Sequence, residues 1–171
     1  MAARFEPVKG LDAIIAQRIV APRMRRALDM LEDAAQAGAP ETRTWVTMRD
    51  ERVRPSHFGA DTQTIPANLR FRLASADGIG HDLAREPRDP DLPAAQRIGC
   101  RCHAASLPHL LAESIHKTDL RVAGTHVSGT VETRFPRAAE SEFGTTEDTA
   151  AHFMTNALRE VALRLRSGQT R

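Results

Sequence analysis

The sequence contains no tyrosine, one tryptophan and two cysteines, and aromatic residues make up only 4% of its 171 residues. The core must therefore be built mainly from Leu, Val, Ile and Ala. No apolar run approaches the roughly 20 residues that span a membrane, and the amino terminus lacks the apolar stretch of a signal peptide. We therefore expect a protein that is made in the cytoplasm and makes no membrane contact.

Charge of one sign is also missing, because 24 basic residues face 22 acidic residues and the net charge is only +2. This balance does not favour a surface dedicated to nucleic acid. The sequence has no G-x-S-x-G, no phosphate-binding glycine loop and no H-E-x-x-H. We therefore predict that the protein is not an enzyme. Its length allows one domain, or two small ones that share a sheet.

Helical patterns lie at the two ends of the chain. Over residues 11–37 apolar residues recur at helical spacing, and Pro22 predicts either a kink or a break between two helices. Gly38 and Pro40 are typical of a helix end. A last helix is predicted over residues 149–166. Its apolar stripe is Met154, Leu158, Val161 and Leu165.

Shorter patterns lie between these helices. Residues 45–48 and 68–73 predict short strands, residues 107–116 a short helix, and residues 120–122 and 125–135 a β-hairpin. The sequence thus predicts an α+β fold. It has a long N-terminal helix, a short antiparallel sheet or hairpin and a C-terminal helix, interrupted by an irregular insertion that a metal would clasp.

The metal is predicted from the segment 45–103, which holds the tryptophan and both cysteines. Pro, Gly and Asp are frequent in this segment, so long regular elements are not expected. Zinc prefers thiolate and imidazole ligands, and a structural zinc site needs four of them. His57, Cys100 and Cys102 are the predicted ligands, and a structural zinc ion is the only cofactor expected. The candidates for the fourth ligand are Asp50, His81 and His103.

An alternative without metal stays open for the same residues. Two cysteines at i and i+2 are badly placed to bond each other, so Cys100 and Cys102 would be small buried hydrophobic residues and His57 would hydrogen-bond a loop. In both cases we expect the three side chains to cluster. The acidic and basic residues at 50–54 are expected to form local ion pairs, with Arg101 as a partner, and not a catalytic acid pair.

Three motifs in the flanks have a family likeness. The first helix ends in Ala37-Gly38-Ala39-Pro40, a Leu-x-x-Ser-Ile helix end follows at residues 111–115, and Glu142-Phe143-Gly144-Thr145 precedes Phe153-Met154. The flanks resemble the neck or tail-component family of long-tailed bacteriophages, which usually has a proline where His152 stands. We predict that residues 142–145 form a turn before the last helix, with Phe143 buried and Gly144 in a conformation that a β-carbon resists.

The middle carries a second, more specific pattern. An opening Trp45 is followed by Asp50-Glu51-Arg52-Val53-Arg54 and His57, then by Arg88-Asp89-Pro90, and the pattern closes with Cys100-Arg101-Cys102. It resembles the MuF-like minor head protein domain of phages, which commonly has Asn where this chain has Gly99. The two resemblances imply a discontinuous neck-type domain (residues 1–43 and 106–171) with an inserted MuF-like subdomain (residues 44–105).

These resemblances imply a structural component of the phage head–tail connector. Six or twelve copies would form a ring that binds the head connector on one side and the tail terminator or tail tube on the other. DNA would pass through without specific recognition. The protein would belong to the virion and assemble in the host bacterial cytoplasm. The alternatives are a MuF-type enzyme or effector domain acting on DNA or nucleotide, and a metal-stabilised binding module outside any virus.

Overall fold

The computed structural model describes residues 10–107 and 109–168, so residues 1–9, 108 and 169–171 of the predicted flanking domain lie outside it. The fold is α+β. Its helices are α1 (Leu11–Ile15), α2 (Ala21–Gly38), α3 (Pro55–Gly59), α4 (Ala94–Arg97), α5 (Leu110–Glu113), α6 (Ala138–Phe143) and α7 (Phe153–Arg166), with a π-helical turn (Ala16–Val20) between α1 and α2. Its strands are β1 (Thr42–Val46), β2 (Thr64–Pro66), β3 (Phe71–Ala74), β4 (His81–Ala84), β5 (His103–Leu107), β6 (Ile115–Lys117), β7 (Arg121–Ala123), β8 (His126–Ser128) and β9 (Val131–Thr133).

The first helical run continues through the predicted break at Pro22. The π-helical turn ends directly before α2, whose first turn contains Pro22. A proline ring crowds the carbonyl four residues earlier, here that of Arg18, and the π-helical turn lies at this position. Leu28 and Ala35 are buried, whereas Ile14 and Ile19 are 52% and 48% exposed. In the described ranges, no helix combines the length and apolarity needed to cross a bilayer.

The flanks share one hydrophobic core in which α2 packs on α7. The buried face of α7 consists of Phe153, Ala157 and Val161. Leu158 and Leu165 of the predicted stripe are exposed, so they are not part of this core. The face of α7 that packs on α2 carries Phe153 and Ala157, and Leu158 and Leu165 lie outside this contact. The rest of this core includes Ala35, Leu111, Ile115 and Ala138.

The predicted hairpin is confirmed for β7 and β8, but the strand predicted over residues 125–135 is divided into β8 and β9. β7 pairs antiparallel with β8, and β6 pairs antiparallel with β9. The helix predicted over residues 107–116 is much shorter, since α5 covers only Leu110–Glu113. Leu107 ends β5, and β-branched Ile115 begins β6 opposite Thr133. Strand pairing on both sides thus limits α5 to one turn.

The two ends of the predicted insertion meet in one ladder. β1 pairs antiparallel with β5 from Thr42 opposite Leu107 to Val46 opposite His103, and β2 pairs with the other edge of β1. The predicted boundary at residues 44–105 falls inside this ladder, and the domain division stays a prediction. A second core lies beyond the ladder. It is formed by Trp45, Ala60, Ile65, Leu69, Phe71, Leu73, Ala84, Leu92, Cys100 and Cys102.

The segment before α7 corrects one prediction and confirms another. Phe143 ends α6 and is 73% exposed, so the prediction that it is buried was wrong. Glu142 is buried in its place, and its carboxylate accepts the backbone N–H groups of Met154 and Thr155 at 2.8 Å each. A carboxylate is favourable at a helix N-terminus, so Glu142 and not Phe143 turns towards α7. Gly144 has φ +76°, as predicted.

Positive φ angles also occur at two positions where the expected motifs carry another residue. Gly99 has φ +66°, in a region that Asn tolerates best after Gly, so Gly can replace Asn there without a change of backbone. His152 has φ +53°. A proline ring fixes φ near −65°, so the backbone before α7 differs from one that carries proline at this position.

We predict that Gly144→Val destabilises the protein by at least about 1 kcal/mol, because a positive φ is strained for a β-branched residue. A β-carbon at Gly144 would also lie 2.9 Å from the backbone N of Ala150 and the backbone O of Asp148. Chemical denaturation measures the change. Gly59→Val is the control, since a β-carbon there meets nothing within 4 Å. Equal unfolding free energies for the two variants would contradict the prediction.

Candidate metal centre

His57 is brought into the core by the short helix α3. Pro55 occupies the first turn of α3, where its fixed φ suits a helix start. His57 lies one turn in and is 1% exposed, whereas the next residue, Phe58, is 60% exposed. The imidazole thus lies on the inner side of a helix of five residues.

Cys100 and Cys102 approach His57 from the other end of the segment. They are 6% and 4% exposed, and each Sγ lies 3.5 Å from Nδ1 of His57. Arg101 points the other way, and its guanidinium donates to both carboxylate oxygens of Asp50 at 2.6 and 2.7 Å. The structure therefore brings together the three predicted ligands and the predicted ion pair.

The three ligand atoms form a compact group that can hold a metal ion. Nδ1 of His57 and the two Sγ atoms lie within 4.8 Å of one another. The predicted fourth ligands are not part of this group. Asp50 is engaged by Arg101, and His81 and His103 are exposed on β4 and β5. Among the residues that the structure describes, no fourth His, Cys, Asp or Glu joins the three.

The remaining residues of the Asp50–Arg54 motif close the loop before α3. Asp50 Oδ1 accepts the backbone N–H of Arg52 at 3.1 Å, and the Arg52 side chain is exposed. Arg54 reaches across to the other end of the segment and donates to the backbone oxygens of Gln96 and Ile98. Arg54 and Arg101 thus tie the opening of the segment to its close, one from each side.

Trp45 provides a test of whether this group fits a metal. Its indole ring packs edge-on against the His57 ring, with a centroid distance of 5.3 Å. Its Nε1–H is buried without a hydrogen-bond partner. The indole lies beside Cys102, where it opposes the rise in the pKa of that thiol that burial and Cys100 cause. A thiolate is a much stronger acceptor than a thiol. A metal-bound Cys102 thiolate would therefore give this orphaned donor a partner.

The electrostatics of the group suit ligation and oppose nucleophilic catalysis. Burial lowers the pKa of His57, and the positive charge of Arg54 lowers it further, so the imidazole stays neutral and keeps a lone pair. Burial and the neighbouring Cys100 raise the pKa of Cys102 to about 11. A catalytic cysteine needs the opposite shift and an accessible sulfur. Metal binding would have to displace thiol protons.

Sequence reasoning missed two polar residues behind His57. Gln96 of α4 is 1% exposed, and its Oε1 lies 3.1 Å from Nε2 of His57. Its Nε2 donates to Asp82 Oδ2 at 3.0 Å. Gln96 follows two alanines in an ordinary short helix pattern, and Asp82 lies in a strand of four residues. Neither residue has a spacing that would single it out.

The chain matches no family model, no curated protein and no solved structure. The resemblance to phage head and neck proteins therefore rests on the motifs alone.

We predict that both cysteines of the reduced, metal-free protein react slowly with iodoacetamide at pH 8. They are buried, and a pKa of about 11 for Cys102 leaves little thiolate. The rate should be at least about tenfold below that of an exposed cysteine. Ser128→Cys supplies this reference, because Ser128 is exposed on β8. The rate at Cys102 should rise with pH, since the thiolate fraction increases up to its pKa. Equal rates at all three positions would contradict the burial.

Proposed function

We propose that this protein is a structural component of the phage head–tail junction. Copies of the chain form a ring around the DNA passage and link the head connector to the tail. The ring transmits load and matches two neighbouring assemblies, and DNA passes without specific recognition. The balanced charge supports this role, because a channel that gripped phosphates would need a basic lining.

The observation that carries the proposal is the exposure of apolar side chains on both flanking helices. Ile14 and Ile19 are exposed on the first helical run, and Leu158, Leu163 and Leu165 are exposed on α7. A soluble chain that works alone rarely leaves such helix faces uncovered. Contacts between identical copies would cover them, and closed cyclic symmetry is a common solution for such contacts.

The connection between the flanks and the middle also supports the proposal. A segment whose two ends pair in one ladder can be inserted into a domain without separating the flanking elements. β1 and β5 meet this condition, with Thr42 opposite Leu107. An insertion of MuF-like type in a neck-type domain is therefore sterically simple.

We further propose that the His57–Cys100–Cys102 group holds a structural zinc ion. Two thiolates and one imidazole are a donor set that binds zinc in preference to magnesium or calcium. The clasp joins residues more than forty positions apart, and the entropy of closing such a loop grows only slowly with its length. One strong tie can therefore hold a segment of short elements together.

We predict that the double variant Ile14→Glu/Ile19→Glu abolishes ring formation without unfolding the chain, because charges would be buried between copies. Native mass spectrometry of assembled particles and of the purified protein measures the copy number, and circular dichroism checks the fold. Ile79→Glu is the control. Ile79 is the most exposed large apolar residue in the described chain, at 81%, and lies between β3 and β4.

A single copy per particle for the wild-type protein would contradict the ring. So would a double variant that assembles as well as Ile79→Glu. A monomer in dilute solution alone does not decide the matter, because the neighbouring proteins of the junction can be needed for closure.

We predict that removing zinc with a chelator, or changing Cys100→Ser, loosens residues 45–104 and leaves the flanks folded. The zinc would tie the two ends of this segment, whereas the residues around α2 and α7 form a separate hydrophobic core. Hydrogen exchange should rise in β3, β4 and α4 and stay constant in α7, which serves as the internal control. Unchanged exchange in all these elements after complete zinc removal would contradict a structural role.

A further inference from the structure

Gln96 has every hydrogen-bonding group of its side chain occupied. Its Nε2 donates to the backbone oxygen of Ala74 at 2.9 Å and to Asp82 Oδ2 at 3.0 Å. Its Oε1 accepts from Ser56 Oγ at 2.8 Å and faces Nε2 of His57 at 3.1 Å. A carbonyl oxygen can only accept, so the Ala74 contact determines which end of the amide is nitrogen.

The amide orientation determines where His57 carries its proton. Because Oε1 of Gln96 has no hydrogen to give, Nε2 of His57 must be the donor in this contact. In a neutral imidazole the other nitrogen, Nδ1, is then unprotonated. The lone pair of Nδ1 lies in the ring plane and faces the two sulfurs at 3.5 Å. His57 is thus prepared to ligate through Nδ1, and the free Nε2–H tautomer is already the bound one.

We propose that Gln96, held in place by Asp82, is a positioning residue for metal binding by His57. It selects the tautomer and fixes the ring, so that Nδ1 and the two sulfurs converge on one point. Outer hydrogen bonds of this kind commonly orient metal-binding histidines. The inference deepens the zinc proposal and depends on it, but it does not depend on ring formation.

The location of Gln96 supports this role over simple filling of the core. Gln96 joins three separate parts of the segment, namely the end of β3 at Ala74, β4 at Asp82 and α3 at Ser56 and His57. Arg54 also donates to its backbone oxygen at 3.4 Å. A residue that served packing alone would not need two acceptors for its amide nitrogen and two donors for its amide oxygen.

The first experiment is ¹⁵N NMR of the imidazole rings in the full-length, reduced, metal-free protein at neutral pH. Long-range ¹H–¹⁵N correlations distinguish the two neutral tautomers. We expect His57 to carry its proton on Nε2. A proton on Nδ1 would overturn the inference, and this measurement needs no variant that might fail to fold.

The second experiment measures Zn²⁺ affinity by competition with a chromophoric chelator. Gln96→Met keeps the length of the side chain but cannot hold the imidazole, and the affinity should fall about 10- to 100-fold. Gln63→Met is the matched control. Gln63 also bonds to a backbone through both ends of its amide, at the N and O of Arg72, but it does not contact His57. We expect its affinity to be that of the wild type.

Equal affinities for Gln96→Met and Gln63→Met would overturn the positioning role. A wild-type protein that binds no Zn²⁺ would overturn both the zinc clasp and this inference and leave the ring proposal standing. Particles without a ring, together with normal Zn²⁺ binding and the Nε2–H tautomer, would overturn the ring proposal and leave the zinc clasp and this inference standing. The two proposals can therefore fail separately.

Discussion

The antiparallel pairing of β1 with β5 is the constraint on which the rest of the structure depends. Five residue pairs join strands that are about sixty positions apart in sequence. In the pair at one end of the ladder, the Thr42 hydroxyl also donates to the backbone oxygen of Leu107. At the end formed by Thr42 and Leu107, β1 follows α2 and β5 leads to α5. Towards the other end, the ladder places Trp45 against His57 and Phe71. Two hydrophobic cores are thereby attached to one strand, and a shift in its register would disturb both.

One chain of hydrogen bonds links three polar residues of the middle segment to the two sulfurs. Asp82, Gln96 and His57 follow one another by hydrogen bonds and end at two sulfurs. Such a system is costly if any member lacks a partner, since a buried unsatisfied donor or acceptor costs about 1–3 kcal/mol. Within the described residues, the indole N–H of Trp45 is one of three buried side-chain groups without a partner, together with Arg43 Nε and Thr47 Oγ1. The unpaired indole N–H lies beside Cys102, where a metal-bound thiolate would bring negative charge.

Features that depend on residue type could be predicted from the sequence. Features that depend on which face of a helix or turn is buried could not. His57, Cys100 and Cys102 were predicted together because few side chains offer that chemistry. Gly144 was predicted because a positive φ favours glycine. The burial of Glu142 instead of Phe143 could not be foreseen from hydrophobicity. It depends on the hydrogen bonds that the Glu142 carboxylate accepts from the backbone N–H groups at the start of α7. Gln96 gave no pattern, because its partners come from three distant elements.

The π-helical turn before Pro22 has a consequence for how the surface of the protein can vary. Each residue of an α-helix is rotated by about 100° around the helix axis relative to the one before it. A π-helical turn holds an additional residue, so the rotation per residue is smaller there. Apolar positions before the turn therefore no longer lie on the same face as those after it. A single amphipathic pattern in the sequence thus becomes two stripes that face different directions. Leu28 and Ala35 after the turn are buried, whereas Ile14 before it and Ile19 within it are exposed. Substitutions at the outer positions would leave the packing against α7 intact, so changes there can alter contacts at the surface without altering the fold.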